Sequence, residues 1–138
     1  MSQLLKQRFE HLTELLDELA LEAQKGVPII VEGKKDENAL KDLAVVGTII
    51  PVKAYRRALI DVVCEIEQRG YDEVILMLDF DRRGREWTKR LVGHFERAKV
   101  KPNLRFWREI YKVAGRELKD IEGLTTYLKN LKRRIGNS

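Results

Sequence analysis

The sequence predicts an α/β domain built on a mostly parallel sheet of about four strands, with helices on both faces. Three observations carry this reading. Short apolar runs rich in β-branched residues alternate with segments of helical periodicity. Those runs are apolar throughout, as strands covered on both faces are. The chain has 138 residues and 43% hydrophobic content, enough for one core and too little for a second.

The elements follow in order. Leu4, Leu5, Phe9, Leu12, Leu15, Leu16 and Leu19 recur at three- and four-residue steps, so a long amphipathic helix is expected over residues 2–25, closed by Gly26. Val27–Val31 reads as a buried strand, Asp36–Val45 as a helix, and Thr48–Val52 as a second strand whose Pro51 suits an edge or a strand end. Ala54–Arg69 is a helix closed by Gly70, and Glu73–Leu78 is the strongest strand in the chain. Gly84–Lys99 is helical, Asn103–Phe106 reads as a fourth strand, and the remainder forms helices over residues 107–134. One domain spanning residues 1–138 is the expectation.

Composition narrows the function. The single cysteine, Cys64, excludes an internal disulfide and a Cys-based zinc site, and its apolar neighbours predict burial. No apolar run is long enough to span a bilayer, and the charged opening stretch has no signal-peptide core, so a cytoplasmic protein without a membrane partner is expected. The net charge of +5 is unevenly placed. Residues 1–81 carry 10 Lys and Arg against 16 Asp and Glu, whereas residues 82–112 carry 11 against 3. A basic block of that density is either a solvated face or an attractor of polyanions such as nucleic acid.

The acids sit where open parallel sheets place their sites, beyond the carboxyl ends of strands. One strand delivers Glu32, with Gly33 and Asp36 following; another delivers Asp79-Phe80-Asp81. Alternation along an extended chain sends Asp79 and Asp81 to one side and Phe80 to the other. Such an all-oxygen set suits Mg²⁺, with Mn²⁺ as a substitute. Any one of these acids could be a helix cap, Asp36 and Asp81 above all, but four at these spacings strain that explanation. Gly84 permits a tight turn into the next helix and would expose backbone N–H groups to a phosphate. Arg82, Arg83 and Arg85 surround that turn as candidate phosphate contacts. Lys34 and Lys35 are further candidates beside Glu32.

Val-Glu-Gly-Lys-Lys-Asp (31–36) and Leu-Asp-Phe-Asp-Arg-Arg-Gly-Arg (78–85) resemble the two signature motifs of the Toprim family: a strand-end Glu followed by Gly, then D-x-D with Gly three residues on. The resemblance covers residues 27–106 and is to primase-like and ribosomal-RNA-maturase-like members, as a small stand-alone protein of archaeal type. It implies a Rossmann-like Toprim fold, Glu32 as general acid/base, Asp79 and Asp81 as Mg²⁺ ligands, and Asp36 as a further metal-site acid. Lys-Asp-Ile-Glu-Gly-Leu (119–124) loosely resembles a maturase segment, which makes Glu122 a weaker candidate.

The function expected is Mg²⁺-dependent phosphodiester chemistry on RNA or DNA, foremost a nuclease acting on a structured substrate. Primase-like nucleotidyl transfer and a non-catalytic, metal-assisted nucleic-acid-binding module are the alternatives. A protein partner or a homodimer is left open.

Overall fold

The computed structural model describes residues 2–53 and 58–136. Its elements, in chain order, are α1 (Ser2–Gln24), β1 (Ile29–Val31), α2 (Lys34–Asp42), β2 (Ile49–Pro51), α3 (Leu59–Gln68), β3 (Glu73–Met77), α4 (Arg82–Arg97), β4 (Lys101–Asn103), α5 (Arg105–Ala114) and α6 (Leu124–Gly136). The four strands form one parallel sheet in the order β2-β1-β3-β4.

The sheet divides the core into two apolar layers. Alternate residues of each strand point to opposite faces. Ile29, Val31, Ile75 and Met77 therefore face a layer completed by α1, α5 and α6, while Ile30, Ile50, Val74 and Leu76 face α3 and α4. The α1 stripe of Leu12, Leu15, Leu16, Leu19 and Ala23 is buried, and the helix ends as Gly26 takes φ +97°, a conformation glycine adopts without steric cost.

This topology creates a switch point. From β1 the chain turns outward to β2 through α2, which packs with the α1 layer; from β3 it turns the other way to β4 through α4, on the opposite face. The carboxyl ends of the adjacent strands β1 and β3 thus flank the crevice that open α/β sheets use for ligands. The register pairs Val31 with Met77, which brings Glu32 alongside Leu78 and Asp79.

Pro51 lies on an edge strand, where its missing N–H costs no ladder bond. Two expectations need correction. The fourth strand is Lys101–Asn103 and not Asn103–Phe106. Asn103 Oδ1 accepts from Arg105 N at 2.9 Å and starts α5 at once, so Phe106 is buried as a helical residue in line with Ile110 and Ala114. Cys64 is exposed: α3 buries Leu59, Val62, Val63 and Ile66, and position 64 falls off that stripe. The first residues expected in that helix, 54–57, lie outside the described residues. The last helix begins at Leu124, preceded by a turn in which Asp120 Oδ1 accepts from Gly123 N at 2.8 Å. No described helix is long and apolar enough to cross a membrane.

Candidate metal centre at the strand ends

Carboxylate oxygens of Glu32, Asp79 and Asp81 all lie within 4.8 Å of one another. Each arrives by a different local device. Glu32 directly follows β1 and is only 1% exposed. Asp79 stands between β3 and α4, half-buried. Asp81 is the exposed N-cap of α4, and its Oδ1 accepts from Gly84 N at 2.8 Å. Phe80, between the two aspartates, turns away into the α1 and α5 layer. Its N–H donates to Lys119 O at 2.7 Å, which ties the strand end to the loop before α6.

Gly84 closes this corner. A Cβ there would stand 2.1 Å from Asp79 O and 2.7 Å from Asp79 C, so only glycine lets the first turn of α4 approach the strand end. Its N–H donates to the Asp81 carboxylate that caps the helix.

Buried acids in contact need compensation. Lys53, just beyond β2, reaches Glu32 Oε2 at 3.1 Å, and Arg83 reaches the same oxygen at 3.0 Å. Burial pushes the Glu32 carboxyl up, but hydrogen bonding with Asp79 and the two cations outweigh it and hold the group below the usual range. Asp79 goes the other way: burial and the neighbouring Glu32 push it up to about 8. The two shifts run in opposite directions, so the pair favours the charge on Glu32 over the charge on Asp79.

Among the described residues, Asp79 Oδ1 is buried without a hydrogen-bond partner. An orphaned carboxylate oxygen beside two more carboxylates fits a divalent cation, which would satisfy that atom and neutralise the cluster.

Asp36, Asp120 and Glu122 form a second oxygen cluster of the same span. The protein's own backbone uses much of it. Asp36 Oδ2 accepts from Gly33 N at 2.9 Å, capping α2, and Asp36 Oδ1 accepts from Glu122 N at 2.8 Å. Burial raises the Asp36 carboxyl, with Asp120 and Glu32 adding to the effect against those two N–H bonds. Asp36 thus adjoins the first cluster without belonging to it.

The cations beside the site have distinct places. Arg82 is exposed and pairs with Glu86 at 3.1 Å; Arg83 bridges Glu32 and lies 5.2 Å over the Trp87 ring. Arg85 lines a cleft against α5. Lys34 pairs with Glu37 at 3.1 Å, and Lys35 is exposed on α2. Lys53 went unread in the sequence because its strand, Ile-Ile-Pro, carries no acid to mark a site.

An α/β domain with a carboxylate cluster at the switch point of a parallel sheet is a fold with a divalent-ion-compatible site. Residues 27–108 match the Toprim domain, and the chain belongs to that family. Toprim domains bind divalent metals and generally act on nucleic acids. The chain is 38% identical to a UPF0292 protein of Methanocaldococcus jannaschii over 120 residues, 87% of this chain and 91% of that one. It is 34% identical to a UPF0292 protein of Methanosarcina barkeri over 131 residues, 95% of this chain and 90% of the relative. The solved structure of a protein from Aquifex aeolicus matches with a TM-score of 0.67 at 25% identity, covering 79% of this chain and 94% of the other.

Proposed function

We propose that this protein is a metal-dependent phosphodiesterase that cleaves structured RNA or DNA. The observation that carries the reading is the convergence of Glu32, Asp79 and Asp81 within 4.8 Å at the switch point, with Asp79 Oδ1 left unpartnered among the described residues. Asp79 and Asp81 are the residues that would hold Mg²⁺ or Mn²⁺. When bound, such an ion supplies Lewis-acid polarisation of a phosphate and neutralises developing charge.

The chain's own groups do the rest. Glu32 is ionised and aimed into the cluster, where it can accept a proton from attacking water. Lys53 and Arg83 fix its orientation, and their remaining donors can meet phosphate oxygens as a strand enters. Arg82 and Arg85 extend that cationic rim along α4. Gly33 leaves its side of the crevice open, since a Cβ there would meet nothing closer than Asp36 Oδ2 at 3.8 Å.

The test is incubation of labelled structured RNA, duplex DNA and single strands with the protein in Mg²⁺, Mn²⁺ or EDTA, read on a gel. The reading predicts cleavage of at least one substrate with a metal ion, abolished by EDTA and by Asp79→Asn. If no substrate is cut with either ion, the cleavage reading fails and a nucleic-acid-binding role takes its place.

A further inference from the structure

Behind the Asp79-Phe80-Asp81 turn, α4 and α5 leave a cleft of about 240 Å³ lined by Arg85, Trp107, Arg108, Tyr111 and Lys112. Its wall is formed almost wholly of apolar atoms, so the stems of the three cationic side chains belong to the wall. Their charged heads are left for the rim.

The two aromatic rings are held from behind. Trp107 Nε1 donates to Leu78 O at 2.8 Å, which fixes the indole to the strand end. The Phe80 ring stacks on Trp107 at 5.8 Å between centroids and tilts against Tyr111 at 5.6 Å. Gly115 gives the Tyr111 ring its room: a Cβ there would stand 2.5 Å from Tyr111 Cδ2. Yet Tyr111 is 45% exposed, an uncommon state for a ring so firmly seated. Trp107 and Tyr111 are four residues apart on α5, and so are Arg108 and Lys112. The helix therefore carries an aromatic stripe beside a cationic one.

We propose that this cleft is a base-stacking subsite for an unpaired nucleotide of a nucleic-acid strand. The base would lie against Tyr111 and Trp107, and Arg85, Arg108 and Lys112 would hold the phosphates on either side. Among the described residues no carboxylate lines the cleft, so its field favours a polyanion over an acidic-rimmed or neutral protein surface. Its position suits the carboxylate centre. Arg85 N donates to Asp81 O at 3.0 Å, and Phe80 backs the cleft from between the two aspartates, so a strand seated here leads directly to the strand-end acids. This inference rests on the nucleic-acid reading of the carboxylate site and narrows it: the substrate carries an unpaired base next to the phosphodiester.

The test is binding of a single-stranded oligonucleotide containing 2-aminopurine, in EDTA so that nothing is cut, with fluorescence reporting stacking. The parent is expected to bind and quench the probe. Tyr111→Ala should weaken binding about ten-fold or more, in line with the worth of one base–aromatic stack, and should relieve the quench. Tyr111→Phe, which keeps the ring, should retain both. Arg108→Gln should weaken binding and flatten its salt dependence without relieving the quench of the bound strand. A parent that binds without quenching, a Tyr111→Ala protein with unaltered binding, or no binding by the parent overturns the proposal. The two readings separate cleanly: a parent that quenches but cuts no substrate keeps the subsite and removes the nuclease, whereas cleavage with Tyr111→Ala binding unchanged does the reverse.

Discussion

Gly84 presses its Cα against the backbone of Asp79 so closely that a Cβ would stand 2.1 Å from the Asp79 carbonyl oxygen. The contact sets where α4 begins and where the aspartate carboxylate points. Gly84→Ala must push the helix or the strand end aside, which we expect to cost about 1–3 kcal/mol of stability, as overpacking of a close contact does. Chemical denaturation checks the stability. Calorimetry should show weaker divalent-ion binding in the same variant, and unaltered stability and binding would mean that the corner adapts without strain.

The metal response should depend on pH. The Asp79 carboxyl is raised to about 8 in the folded protein against 3.8 unfolded, so the folded state keeps a proton that the unfolded chain releases. Asp79 therefore makes the metal-free protein less stable as pH climbs from about 4 to about 8. A divalent ion binds the ionised form, so thermal stabilisation by Mg²⁺ or Mn²⁺ should grow from about pH 6 to about pH 9. A metal-induced shift in Tm that is equal at both ends of that range would contradict this.

Hydrogen bonding with Asp79, then Lys53 and Arg83, hold the Glu32 carboxyl down, and Lys53→Met should show the lysine's share. Glu32 is depressed in the folded state, so its contribution is present above its unfolded value of 4.5 and lost as pH falls through the lower folded value. We expect Lys53→Met to lose on the order of 1 kcal/mol at about pH 7, tempered by the exposure of the lysine and the presence of Arg83, and to lose less near pH 3. Equal losses at both pH values would make Lys53 a packing residue only.

The architecture was legible because apolar runs and helical periodicity report burial directly, and burial is what the sheet and its two layers impose. Glu32, Asp79 and Asp81 were legible because acids at strand ends stand out against those runs. Lys53 was not, since its partner Glu32 is 21 positions away in sequence and only the parallel register joins them. The Lys101–Asn103 strand escaped because Lys-Pro-Asn has no apolar alternation; an edge position with one neighbour tolerates it. Asp81 is helix cap and cluster member at once, because one carboxylate oxygen accepts from Gly84 N while the group still faces Glu32 and Asp79, so the two roles do not exclude each other.

The arginines at the start of α4 should grip phosphate. Replacing Arg82, Arg83 and Arg85 with alanine should weaken binding across nucleic-acid sequences and lower the salt dependence by about one unit of slope for each phosphate that is no longer neutralised. Filter binding across a salt series measures it. An unchanged slope would move the nucleic-acid surface away from the carboxylate site.

Cleavage by Glu32→Gln tests the account most directly. Glutamine keeps the shape of a side chain that is 1% exposed, and removes its capacity to accept a proton. On the substrate the parent cuts best, in Mg²⁺ or Mn²⁺, the single-turnover rate of Glu32→Gln should fall by about a hundred- to ten-thousand-fold, the usual worth of a general acid or base. Strand binding by the variant should stay close to that of the parent. A Glu32→Gln protein that cleaves at the parental rate would contradict the assignment of proton transfer to Glu32.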